Sequence, residues 1–221
     1  MSIQQNILKI SEQLPEGVQL VAVSKFKPVE MLMEAYEAGF KVFGENYVQE
    51  LVEKYEQMPK DIKWNFIGHL QSNKVKYIAP FVSLIHSVDS FKLLKEINKQ
   101  AEKNERVIDC LLQVYIAQED TKTGIDEAEL FELLKSEAFL SLKNIRIVGL
   151  MGMSTFTENM DQVKTEFKSL KTIFDKIREE NIGDLGADFK EISMGMSGDW
   201  PLAVAEGSTM IRVGSAIFGN R

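Results

Sequence analysis

The stretch "VQLVAVSKF", residues 18–26, decides the fold. Its apolar run is short, has no polar face and ends at a lysine, the pattern of a strand buried on both sides in a parallel sheet. Seven more runs of this kind follow: "KVFGE" (41–45), "WNFIGH" (64–69), "SLIHSV" (83–88), "VIDCLLQVY" (107–115), "IRIVGLMG" (145–152), "FKEISMG" (189–195) and "STMIRVG" (208–214). Segments of helical period lie between them. Met31, Leu32, Ala35 and Ala38 follow Pro28 and stop at Gly39; Leu93, Leu94, Ile97 and Ala101 make a second stripe; Val163, Phe167, Leu170, Phe174 and Ile177 make a third.

Buried strands alternating with helices indicate a parallel sheet covered by helices. Eight of them predict an α/β fold, a single (β/α)8 TIM-type barrel, compact at 221 residues. The amphipathic start "MSIQQNILKISEQL", with Ile3, Ile7, Ile10 and Leu14 on one face, adds an N-terminal helix. A doubly wound open sheet is the alternative. With no internal repeat and no Pro/Gly-rich linker, residues 1–221 are expected to form one domain.

Composition narrows the function. A net charge of −7 argues against a broad basic face for nucleic acid or anionic lipid, while leaving room for a local phosphate pocket. No signal peptide or membrane span is read, so a cytoplasmic protein is expected. Cys110, alone of its kind, forms no internal disulfide and reads as a small buried thiol. Together with only two histidines, His69 and His86, it makes no metal cluster of recognisable spacing. Walker and G-x-G-x-x-G motifs are missing too.

A barrel places chemistry just beyond the C-terminal ends of its strands. Lys25 stands there, with Glu45, Asn46, His69, Ser197, Gly214 and Ser215 at the ends of other strands. A lysine shielded by apolar walls offers a nucleophilic amine for a Schiff base; one paired with a carboxylate such as Glu45 is merely structural. Both readings stand on the residues alone. "SMGMSGDWP" (193–201) reads as a strand end, a glycine-serine turn and a helix capped by Asp199 and closed by Gly207. "IRVGSA" (211–216) supplies a second turn, in which Gly214 permits close approach and Ser215 adds a donor. Two such turns at adjacent strand ends suit one phosphate, although each glycine also suits an ordinary tight turn. Arg212, two residues before Gly214, shares its face of the strand: inward, it stands in the barrel mouth and needs a partner there; with the face inverted, it makes a surface salt bridge.

The motifs "VAVSKFKP" (21–28), "FGENYVQE" (43–50), "WNFIGHLQSNK" (64–74), "TKTGI" (121–125), "GLMGM" (149–153), "SMGMSGDW" (193–200) and "GSTMIRVGSAIFG" (207–219) are similar, in this order, to those of the pyridoxal phosphate homeostasis proteins. The resemblance implies a barrel like the N-terminal domain of alanine racemases, with pyridoxal 5′-phosphate (PLP) held as a Schiff base on Lys25. By the same likeness, Ser197 with the Met196 backbone, and Gly214 with Ser215, hold the phosphate. Arg212 faces the pyridine nitrogen, and Asn46 lies near the ring.

An arginine there, charged and only a donor, leaves the ring nitrogen unprotonated and the cofactor a weak electron sink. Alanine racemases carry a second domain that brings a tyrosine from a partner subunit, whereas only Phe218 to Arg221 follow the last turn of this chain. The expectation is therefore a monomeric protein that holds and releases PLP, supports amino-acid balance and supplies PLP-dependent apoenzymes, without evident turnover. Alternatives are a racemase-like PLP enzyme using His69 or Tyr47 as its second base, and an aldolase-like Schiff-base enzyme with no cofactor.

Overall fold

The structure, a computed structural model, describes residues 2–117 and 123–219. In chain order the first half comprises α1 (Ile3–Ser11), β1 (Gln19–Val23), α2 (Val29–Glu37), β2 (Val42–Glu45), α3 (Val48–Gln57), β3 (Lys63–Phe66), α4 (Val75–Ile78), β4 (Leu84–Val88) and α5 (Phe91–Lys103). The second half comprises β5 (Ile108–Gln113), α6 (Glu127–Lys135), α7 (Glu137–Leu140), β6 (Ile145–Met151), α8 (Met160–Glu179), β7 (Glu191–Ser193), α9 (Trp200–Ala205), β8 (Met210–Val213) and α10 (Ser215–Phe218). The strands pair in sequence order, all parallel, and close into a barrel. Closure comes from β1 against β8, in a register that sets Val21 beside Arg212 and Ala22 beside Val213. The TIM-type expectation holds, and the open-sheet alternative does not.

The apolar runs become strands because each buries both faces. Outward-facing residues such as Ala22, Phe43, Ile85 and Ile211 meet the helix stripes in one large core; inward-facing Val21, Leu84, Leu111, Val148 and Met210 pack together within the barrel. The stripes of α5 and α8 are buried as their spacing predicted. Ser2 and Gln5 form a reciprocal capping box at the start of α1, which buries Ile3, Ile7 and Ile10; Leu14 lies beyond its end.

Two expected boundaries shift. Pro28 occupies the cap position of α2 rather than its first turn. The "FKEISMG" run yields only three strand residues, because Gly195 at φ +92° turns the chain out of the sheet. Thr121 and Lys122 of the "TKTGI" motif lie outside the described residues.

Candidate cofactor site

A cavity of about 590 Å³ opens at the C-terminal end of the barrel. Its walls include Lys25 and Asn46 from the first two strand ends, Met196 and Ser197 from the turn after β7, and Arg212, Gly214 and Ser215 from β8 and the turn after it. The seven residues that the family resemblance assigns to the cofactor thus line one cavity. A larger neighbouring cavity, about 890 Å³, lies against α3 and shares Asn46 as a wall. Tyr47 and His69 line that second cavity and not the first. His69 is largely exposed and sits 3.2 Å from Asp89, while Tyr47 packs its ring on Phe26.

Lys25 projects from a tight turn that follows β1, closed by the Lys27 N–H donating to the Ser24 carbonyl at 3.0 Å. Glu45, weighed as a partner for Lys25, pairs instead with Lys54 at 2.7 Å and accepts the Ser24 hydroxyl at 2.6 Å. Glu45 faces the helix layer and leaves Lys25 to the cavity. Burial pushes the Glu45 carboxyl up to about 6, against the pull of Lys54.

Arg212 is buried, the inward of its two readings, and its hydrogen-bond acceptors are neutral: Nη1 donates to Ser193 Oγ at 2.5 Å and Nη2 to the Gly152 carbonyl at 3.1 Å. Ser193 Oγ lies 3.0 Å from His86 Nδ1, and His86 Nε2 lies 3.0 Å from Asn65 Oδ1. The Asn65 amide nitrogen donates to the carbonyls of Phe43 and Lys63, so its oxygen must face the histidine and Nε2 must carry the ring proton. Nδ1 then accepts from the Ser193 hydroxyl, whose oxygen accepts from Arg212. The chain of donors runs one way across the barrel, from the Arg212 side chain to main-chain carbonyls.

Burial, with the Arg212 charge adding to it, holds His86 well below the usual histidine value, so the ring is neutral. The same burial lowers Arg212 to about 10, which keeps it charged at neutral pH. Arg212 is therefore a fixed cation with donor capacity left over for the cavity.

The two glycine-serine turns meet, with the Gly214 N–H donating to Ser197 Oγ at 3.3 Å. Asp199 stands at the N-terminus of α9, but its side chain does not cap the helix. It reaches back instead, accepting the Met196 N–H at 2.5 Å and the Ser154 hydroxyl at 3.0 Å. The carboxylate thereby fixes the turn that presents Ser197. Asn46 Oδ1 is buried and has no partner among the described residues, the kind of orphaned atom that a bound polar group satisfies.

A family model described as "Alanine racemase, N-terminal domain" matches residues 1–221. The pyridoxal phosphate homeostasis protein of Aquifex aeolicus (strain VF5) is 40% identical over 222 residues, covering 98% of this chain and 94% of its own length. The chain belongs to the pyridoxal phosphate homeostasis protein family. The Escherichia coli (strain K12) family member is 37% identical over 218 residues, covering 94% of this chain and 87% of its own. Among solved structures, PipY of Synechococcus elongatus without PLP superposes with a TM-score of 0.92 at 37% identity, covering 98% of this chain and all of its own. PipY with PLP bound gives 0.88 at 36% identity, covering the same 98% of this chain. An alanine racemase of Clostridium difficile, at 14% identity and a TM-score of 0.79, shares the fold, with 57% of its chain covered.

Sequence reasoning found the walls built from the ends of β1, β2, β7 and β8, and missed the wall that runs from Met153 to Thr157 after β6. It also missed what stands behind the walls: Asn65, His86, Ser193, Lys54 and the reversed role of Asp199. Only "IHSVDS" (85–90), a histidine in the middle of an otherwise apolar strand, carried a signal. A lone histidine there implies a hydrogen-bonded partner but does not name it.

Proposed function

We propose that this chain binds PLP as a Schiff base on Lys25 and holds and releases it, within a single domain, as part of cytoplasmic PLP homeostasis and amino-acid balance. The observation that carries this reading is the convergence of Lys25, Arg212 and both glycine-serine turns on one cavity. The donor set fits the cofactor. The turn amides with Ser197 and Ser215 suit a phosphate, the spare Arg212 donors suit an unprotonated ring nitrogen, and orphaned Asn46 suits a polar ring substituent. PLP supplies an aldehyde for the Lys25 amine; Arg212, locked by Ser193 and His86, keeps the ring a weak electron sink.

Holding rather than turnover is favoured because Tyr47 and His69, the two candidate second bases, lie outside this cavity. The partners expected are PLP itself and PLP-dependent apoenzymes that receive it. Borohydride reduction of PLP-loaded protein followed by peptide mapping is expected to place a pyridoxyl group on Lys25, with uptake reduced in Ser197→Ala and Arg212→Ala. Label on another lysine, or lysine-dependent racemisation of amino acids at ordinary enzymatic rates, would overturn the reading.

A further inference from the structure

Behind the turn that carries Lys25 lies a buried charge cluster with no place in the cavity itself. The Lys54 side chain, on α3, is only 5% exposed, and its ammonium donates to Glu45 Oε1, Glu50 Oε1 and the Ser24 carbonyl, each at 2.7 Å. All three of its donors are therefore directed. Glu50 Oε1 also accepts the Phe26 N–H at 2.6 Å, and Glu45 Oε1 the Ser24 hydroxyl at 2.6 Å. The cluster thus grips the chain on both sides of Lys25, at the Ser24 carbonyl before it and the Phe26 amide after it.

The turn needs such a grip. Phe26 adopts φ +61°, a left-handed conformation that is rare for a bulky side chain and persists only where its surroundings enforce it. Relaxation of Phe26 would swing the neighbouring Lys25 backbone and change where its amine reaches. A single buried cation facing two carboxylates is a poor source of net stability, since desolvation offsets much of the attraction. A role in geometry accounts for it better.

We propose that Lys54, acting with Glu45 and Glu50, is a positioning residue for the Lys25 amine: the cluster holds the strained Ser24–Lys27 turn in the one conformation that aims Lys25 into the cavity. This rests on the reading of Lys25 as the Schiff-base lysine. It adds that the aim is set from α3, outside the cavity, and that the phosphate and ring contacts do not depend on it.

The test compares two ligands on the purified protein: PLP, and pyridoxine 5′-phosphate, which keeps the ring and phosphate but carries an alcohol in place of the aldehyde. In Lys54→Met, and in Glu50→Gln whose side chain is partly exposed, PLP affinity and the yield of borohydride-trapped Lys25 are expected to fall about tenfold or more. Pyridoxine 5′-phosphate affinity should stay within about threefold of wild type. Equal loss for both ligands, or no loss for either, overturns the proposal. Should Lys54→Met fail to fold, Glu50→Gln decides alone. Wild-type protein that traps no PLP on Lys25 would sink the cofactor reading itself, whereas failure confined to the variant comparison sinks only the role of Lys54.

Discussion

At Glu45 burial and charge pull in opposite directions. Desolvation raises its carboxyl from 4.5 to about 6, while Lys54 and the Ser24 hydroxyl lower it. The folded protein holds this proton more tightly than the unfolded chain, so ionising Glu45 costs stability as pH rises from about 4.5 to about 6, by roughly 2 kcal/mol. Below that window the group is protonated in both states, and the cost vanishes. His86 has the opposite sense: its lowered value means stability is lost as pH falls below 6.5, the unfolded-chain value. Urea unfolding of wild type and Glu45→Gln between pH 4 and 7.5 separates the two. The wild type should lose about 2 kcal/mol relative to the variant across the rise, and a constant difference would show that Glu45 does not titrate there. Ser193→Ala removes both an acceptor from Arg212 and a donor to His86, and is expected to cost about 1–3 kcal/mol in the same assay. Position at a strand end pointed to Lys25, Asn46, Ser197, Gly214 and Ser215, and equally to Glu45 and His69, which are not among the walls of the candidate cofactor cavity. Side-chain alternation along β8 pointed to Arg212, and only the family resemblance to Met196. Ser193 and His86 stayed hidden because they lie on β7 and β4, on different walls of the barrel. Only closure brings them within 3.0 Å.

Elements were readable where burial imposes a pattern and obscure where a single contact decides. A strand covered on both faces is mostly apolar, with buried polar side chains such as His86 and Ser193 paired across the barrel, so all eight announced themselves; the stripes of α5 and α8 did so by period. Strand lengths did not. The end of β7 depends on Gly195, and the direction of the Asp199 side chain depends on the Met196 N–H competing with the helix for it. Glu45 and Lys54 sit nine positions apart, a spacing with no periodic meaning until β2 and α3 are packed together. Gly68, just past β3, shows how closely neighbouring strand ends approach. A Cβ at this position would lie 2.2 Å from the Asn46 carbonyl oxygen, which the backbone of the loop after β2 cannot yield cheaply. Gly68→Ala should therefore displace Asn46, lowering the melting temperature and weakening PLP binding together. Weakened binding at an unchanged melting temperature, or the reverse, would mean that the two strand ends move independently.

Across the whole molecule, the site joins parts of the chain that only closure brings together. Lys25 follows the first strand and Gly214 the last, and these two strands pair along four residues from Gln19 to Ala22. The neighbouring seam is less regular: β7 and β8 share a single paired couple, Ser193 with Met210, before Gly195 bends the chain away. Beyond that couple the seam is held by Met194 N–H to the Met210 carbonyl and Arg212 N–H to the Gly195 carbonyl. A phosphate held by both glycine-serine turns would bridge this seam from above, one turn following β7 and the other β8. Bound ligand protects only the states that keep its site intact, by up to about 2.7 kcal/mol at a hundredfold excess over Kd. Local opening of a seam that destroys the site is therefore suppressed, while opening elsewhere is not. Native-state hydrogen exchange is expected to slow at the Met194 and Arg212 amides on adding PLP, and to slow there in Lys25→Ala on adding inorganic phosphate at saturating concentration. The β2–β3 seam, with four paired couples from Val42 to Glu45, should respond only as far as global unfolding does. Equal slowing at both seams would mean that the barrel opens as one unit and that the phosphate turns do not staple β7 to β8.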